Sequence, residues 1–477
     1  MKGKVCPAPR RTHRAAPVLA VVAGTAVLLL TAGPASAHVR LRGSVPAALT
    51  TVTTTPSQVR LLFTEVVEPG QGQVLLTGPS GQPLGDLRTS RDPQDATTLV
   101  TTLPRPLERG TYTVSWRVLS VDGHPVAASF RFAVGRSSSP LTVTRSSGFG
   151  PTPLGGLGRA LDDVGLLVLV GLVAFPLLLT GRARRRIAVC AEVQETVRRR
   201  LRPLLLAAML LALVGNSLLA VDTLAQASGF PAQQIGGHLA GLQDLLARTR
   251  PGRLLAVREA GLLLGAGLLL LLARRRPVAP RRLTRGVAVA AAAALLGTVS
   301  LASHAATAAA DSPLSIAVDW SHLLAAGVWT GGLLALALAG LPAVRSLARR
   351  DPDLAVDQAA ALTTAFSDAA QVCMLLVLVT GSYEALVHVS GVGELSGTAW
   401  GGELTAKLAL WATVLLVATA STASLVPRIS RRVAGASARL AACGELASAV
   451  RFELATATAL ITVAAVLAGT APPDQLS

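Results

Sequence analysis

Tyr112-Thr113-Val114-Ser115-Trp116-Arg117-Val118-Leu119-Ser120-Val121-Asp122-Gly123-His124-Pro125 decides the fold of the N-terminal part of the chain. Tyr112, Val114, Trp116 and Val118 alternate with polar neighbours. A period of two puts them on one face of a strand whose other face is wet. Val59, Leu61 and Phe63 repeat the pattern upstream, and Phe130, Phe132 and Val134 repeat it downstream. Turn residues such as Gly78-Pro79-Ser80-Gly81 divide the runs. The spacing predicts an all-β, immunoglobulin-like antiparallel sandwich over residues 38–135.

Composition changes beyond it. Residues 136–153 are rich in Ser, Pro and Gly and read as a linker. Apolar stretches of spanning length then recur through 154–470, leaving a short tail at 471–477. Eight are expected, near 157–180, 204–222, 254–273, 286–303, 319–341, 369–389, 404–425 and 452–470, each close to the ~20 residues that cross a bilayer. The region 224–252 is less regular and suits an interfacial amphipathic helix. Over the whole chain of 477 residues, 51% are apolar and 15% charged, with a net charge of +18. Such a composition points to a membrane protein.

The charge has a topology. With the sandwich exported, the inner loops hold 22 arginines, among them Arg184-Arg185-Arg186, Arg274-Arg275-Arg276 and Arg431-Arg432. The outer loops hold three: Arg248, Arg250 and Arg253. That bias supports eight spans with both ends outside. It also explains the net charge without nucleic acid as a partner. Only two Tyr and eight Phe are available to stack on bases.

Export has its own signal. Lys2, Lys4, Arg10, Arg11 and Arg14 precede an apolar run from Ala15 to Leu30, and Ala35-Ser36-Ala37 is an A-x-A cleavage site. Residues 1–37 therefore read as a signal peptide. Cleavage would leave His38 as the first residue, where its free amine and its imidazole can chelate one ion together.

Asp122 and His124 are two apart, so on an extended segment they share a face. With His38 they offer three nitrogens and one carboxylate oxygen, and Glu65 is a further candidate. That donor set suits Cu(II) better than Zn(II). Asp-Gly-His-Pro equally suits a simple turn. The exported segment has no Cys and no Met, because Cys6, Cys190, Cys373, Cys443, Met1, Met209 and Met374 all lie elsewhere. Soft ligation of Cu(I) is thus missing there.

In the membrane half, ionisable residues are costly and point to function. His304 ends the fourth expected span on its outer side. Asp319 and His322 open the fifth, at i and i+3 on one helix face. His388 closes the sixth. Ordinary interfacial polar residues would look the same. Glu384, Glu403, Lys407 and Glu453 suit pairing between helices, and His238 carries no clear role.

The stretches His38-Val-Arg-Leu-Arg-Gly-Ser-Val-Pro-Ala47, Val59-Arg-Leu-Leu-Phe-Thr-Glu65 and Tyr112 to Pro125 resemble the CopC family of periplasmic copper carriers. The resemblance implies a Cu(II) site on His38, Asp122 and His124, with Glu65 nearby. Ser303-His-Ala-Ala306, Asp319-Trp-Ser-His322 through Leu333, Phe366-Ser367, Thr380-Gly381, Trp400 to Lys407 and Arg451-Phe-Glu453 resemble the CopD family of copper-resistance membrane proteins. Gly401-Gly402 departs from that family's Tyr-Gly. The two resemblances together imply copper import by a fused chain, with copper ion, the lipid bilayer and other copper carriers as partners. No G-x-x-x-x-G-K-[ST] loop or Asp-Lys-Thr-Gly phosphorylation site is present, so no ATP-driven pump is encoded. Two rivals are a copper-brace monooxygenase and a haem-binding electron carrier. The expectation is a non-enzymatic copper carrier in the cell membrane.

Overall fold

The computed structural model describes residues 39–68, 73–85, 87–120, 125–137, 139–144, 152–180, 189–228, 239–274, 281–303, 313–388, 402, 405–413, 416, 420 and 436–467.

Among the described residues, nine strands form the N-terminal part: β1 (Leu41–Val45), β2 (Thr51–Val52), β3 (Gln58–Phe63), β4 (Gln73–Thr77), β5 (Arg88–Arg91), β6 (Thr98–Thr102), β7 (Gly110–Leu119), β8 (Pro125–Val134) and β9 (Val143–Thr144). One sheet runs β1-β3-β6-β5 and the other β2-β8-β7-β4, with β9 on β8. Val59, Leu61 and Phe63 from the first sheet meet Tyr112, Val114, Trp116, Val118, Phe130 and Phe132 from the second in one buried core. The alternation read from the sequence is therefore the inward face of each strand. Phe63 stands edge-on to Trp116 with ring centroids 5.1 Å apart, a geometry that favours aromatic pairs. β7 and β8 pair from Gly110↔Val134 to Leu119↔Pro125, a long hairpin whose last pair flanks residues 120–124 in sequence.

The sheet runs past residue 135. β9 lies inside the expected linker, its Val143 opposite Phe130 and its Thr144 opposite Ser129. Ser139 N donates to Thr111 Oγ1 at 3.2 Å and ties this stretch down further.

The helices that follow include, among the described residues, α1 (Pro153–Thr180), α2 (Ala191–Ser228), α3 (Leu239–Arg248), α4 (Arg250–Arg274), α5 (Arg281–Leu301), α6 (Pro313–Ala335), α7 (Leu341–Ala348), α8 (Pro352–His388) and α9 (Ala436–Leu467), with a five-residue π segment, Leu336–Gly340, between α6 and α7. Among the described residues, six helical stretches are long and apolar enough to cross a membrane: Pro153–Leu179, Ala191–Ala227, Arg250–Leu272, Thr284–Leu301, Pro313–Ala348 and Pro352–Glu384. The eighth expected stretch overlaps α9. Residues 405–413, in the seventh, are helical, and most of the remainder lies outside the described residues.

α2 starts thirteen residues before the expected span. Its first turns are rich in Glu and Arg, which favour helix outside the apolar core, and Glu195 pairs with Arg199 one turn on at 3.2 Å. α3 is the short amphipathic helix expected within 224–252.

α1 is the centre of the bundle and packs on α2 and α6 through glycines. A Cβ on Gly171 would come 2.4 Å from Gly327 O and 2.4 Å from Gly331 Cα. Small residues let the two backbones meet, as helix pairs in lipid require.

Candidate functional site

Of the four candidates in the sandwich, only Glu65 is described. His38, Asp122 and His124 lie outside the described residues. The residues flanking all four converge on one end of the sandwich. Val39 is 1% exposed and belongs to the core. Beside it, Arg40 N donates to Thr64 Oγ1 at 2.9 Å and Thr64 N donates to Arg40 O at 2.9 Å. Thr64 precedes the half-buried Glu65. Val67 forms an isolated antiparallel bridge with Ser120, and Glu68 N donates to Leu119 O at 2.9 Å. The Arg91 guanidinium holds the Val67 carbonyl. Backbone pairing thus fixes the described residues on this edge, Arg40, Thr64, Val67, Glu68, Leu119 and Ser120.

That end of the sandwich meets the bundle. Glu68 is 6% exposed, and its Oε1 accepts the backbone N–H of Arg250, the first residue of α4, at 2.9 Å. This satisfies one of the N–H groups that every helix start leaves open, and the helix dipole favours the negative charge. Burial pushes the Glu68 carboxyl above its ordinary value, opposed by the Arg250 N–H and by the charges of Arg91, Arg253 and Arg250. Beside this contact Leu119 packs with Leu224, Ala227 and Leu245 in a small cluster of their own.

The same end of the bundle carries several internal polar groups. Thr152 Oγ1 donates to Asp222 at 2.5 Å, joining the start of α1 to the end of α2. Asp162 of α1 and Arg258 of α4 form an ion pair with both side chains under 5% exposed. Arg258 Nε also donates to Thr298 Oγ1 of α5 at 2.8 Å. Asn216 Nδ2 donates to Glu259 at 2.6 Å, linking α2 to α4.

Asp319 and His322 sit on α6 within this polar half. Ser303 Oγ donates to Asp319 Oδ2 at 3.3 Å. His322 Nδ1 and Thr380 Oγ1 of α8 are 2.9 Å apart. Thr380 Oγ1 already donates its hydrogen to Leu376 O at 2.6 Å, so the proton of the shared bond is assigned to His322 Nδ1. Nε2 then keeps its lone pair, the form in which imidazole binds a metal. Gly381 makes room for the ring, since a Cβ there would lie 3.2 Å from His322 Cε1. Trp320 Nε1 donates to Ala293 O at 2.9 Å and anchors α6 on α5.

Asp319 and His322 are therefore brought together on one helix, each held by a hydroxyl from a neighbouring segment. His304 lies outside the described residues, as does the side chain of His388, the last residue of α8. Among the described residues, no three His, Cys, Asp or Glu side chains stand close enough to hold a metal ion. Not foreseen from the sequence were the Asp162–Arg258 pair and the Thr380 partner of His322. Asp162-Asp163 within the apolar run of α1 was the available signal, because carboxylates at that depth are costly.

Three family models match the chain. They are the CopC domain over residues 41–135, the copper resistance protein D-like N-terminal domain over 153–314 and copper resistance protein D over 360–467. Protein YobA of Escherichia coli strain K12 is 40% identical over 98 residues, which cover 20% of this chain and 79% of YobA. Copper transport protein CutJ of Bacillus subtilis strain 168 is 25% identical over 390 residues, covering 80% of this chain and 67% of CutJ. Copper resistance protein C of Xanthomonas campestris pv. juglandis is 34% identical over 121 residues, covering 24% of this chain and 94% of that protein.

Proposed function

The chain belongs to the copper-resistance family that joins a CopC domain to a CopD membrane domain, and on that premise we propose that it captures Cu(II) outside the cell membrane and passes copper inward through its bundle. It is a multi-pass membrane protein of copper resistance and transport. Copper is the cargo. The His38 amine and imidazole, Asp122 and His124 form the capture site, with Glu65 as a weaker neighbour. His322 through Nε2, Asp319 and His304 form the membrane site, with His388 as a further ligand.

The observation that carries this reading is the shared end. The sandwich edge that flanks the capture residues abuts the end of the bundle where Asp319 and His322 lie. The orientation follows: this end faces outward, and the arginine-rich end faces the cytoplasm. Eight spans, with both chain ends outside, complete the proposed topology.

Capture is tested on the purified full-length protein. N-terminal sequencing should give His38 as the first residue, and titration should show one tight Cu(II) equivalent that His124→Ala loses. A different first residue, or unchanged affinity in the variant, removes this site.

A further inference from the structure

The sandwich edge that docks on the bundle is built for staying there. Leu119 ends β7, a place where a strand tip usually meets water, yet its side chain is 0% exposed. Its neighbours are Leu224 and Ala227 of α2 and Leu245 of α3, a cluster separate from the sandwich core. The apolar area of Leu119 is thus buried against the membrane domain, as in an interface anchor. Glu68 adds a charged hydrogen bond to the first N–H of α4, a class of bond stronger than a neutral one.

The tether is short. Thr144 is held in the sandwich by β9, and Thr152 is held in the bundle by Asp222. Eight residue steps separate them, which reach at most about 29 Å when fully extended. In sequence, Asp122 follows Leu119 by three residues, and Glu65 precedes Glu68 by three.

We infer that the sandwich works docked, handing copper to the bundle across the junction of Leu119, Glu68, Leu224, Ala227, Leu245 and Arg250 without leaving it between turnovers. This rests on the transport reading above and adds to it where the transfer occurs. A sandwich that shuttled would have to strip Leu119 and Glu68 from their partners at each cycle.

The test uses the full chain in membrane vesicles supplied with copper alone. Val66→Cys and Arg253→Cys place thiols at two exposed positions flanking the Glu68–Arg250 contact. They are joined by a short bis-maleimide, in a background whose native cysteines are alanine and whose uptake matches the parent. The joined protein should retain most of the parental rate. Separately, Leu245→Asp buries a carboxylate against Leu119 and should lower uptake at limiting copper by about tenfold or more. Glu68→Gln, which keeps shape and loses charge, should lower it by about threefold. Rates are taken per molecule in the membrane, so a fall in abundance does not mimic the effect. Loss of uptake on joining means that the sandwich must leave, and it overturns the inference. So does parental uptake in both Leu245→Asp and Glu68→Gln. A parent that accumulates no copper fails the transport reading itself, an outcome seen before any variant is measured.

Discussion

Gly331→Ala puts the packing of the bundle and the geometry of its polar site to one test. Gly331 lies where α6 crosses α1. An added Cβ would stand 2.6 Å from Val168 O, 2.8 Å from Gly171 Cα and 3.0 Å from Leu167 O. All three are backbone atoms, so no side chain can swing aside. Reaching ordinary contact, near 3.4 Å, requires α6 to move from α1 by roughly 0.8 Å. Overpacking of this kind costs about 1–3 kcal/mol, a factor of about 5 to 150 in an equilibrium. The shift also reaches the site. His322 is nine residues away on the same rigid helix, about 13 Å along its axis, and its 2.9 Å contact with Thr380 spans α6 to α8. The expected outcome is lower thermal stability of the detergent-purified protein together with slower copper uptake. Gly286→Ala on α5 is the control, because its Cβ meets nothing within 4 Å. There the substitution should be neutral or stabilise by up to about 1 kcal/mol, since Ala is the better helix former. A Gly331→Ala protein as stable and as active as the parent would refute the close α1–α6 crossing.

Asp162→Asn should destabilise the protein by about 3–5 kcal/mol, the range for breaking a buried pair and stranding its partner charge. Detergent melts should show it, and adding Arg258→Gln should recover part of the loss. Phe63→Ala in the sandwich core should cost about 3–5 kcal/mol, read as an earlier unfolding of the N-terminal domain by Trp116 fluorescence. Asp95 carries a pH dependence. Hydrogen bonds from the Thr97 and Thr98 hydroxyls and the Thr97 N–H hold its carboxyl down to about 2, below the usual 3.8. A depressed folded value stabilises above the unfolded one and is lost as pH falls. Asp95→Asn should therefore melt earlier than the parent at neutral pH, and the two should converge between about pH 4 and 2.

The sandwich was legible because burial on one side leaves a period of two. Val59, Leu61 and Phe63 sit inward, as their spacing demands, and so do Tyr112, Val114, Trp116 and Val118. β9 was not legible. A two-residue Val-Thr strand has no period, and side-chain bonds around Thr111, Ser137 and Ser139 hold the stretch that follows β8. The apolar runs announced the long helices but not their ends, because Glu195 and Arg199 extend α2 through polar sequence. Asp319 and His322 were visible as an i, i+3 pair. Their partners were not. Ser303 and Thr380 come from other segments, the latter 58 residues away, and no local pattern encodes such a meeting. The Asp162–Arg258 pair spans 96 residues and was hidden for the same reason.

Copper uptake by sealed membrane vesicles holding His322→Ala, measured against the parent at equal abundance, decides whether the bundle carries copper through this imidazole. Uptake should fall to background while Cu(II) binding by the sandwich is unchanged, the outcome expected of the proposed role of His322 Nε2 as a copper ligand. Accumulation of copper at the parental rate in this variant would contradict that role and leave the helices as an anchor for the sandwich.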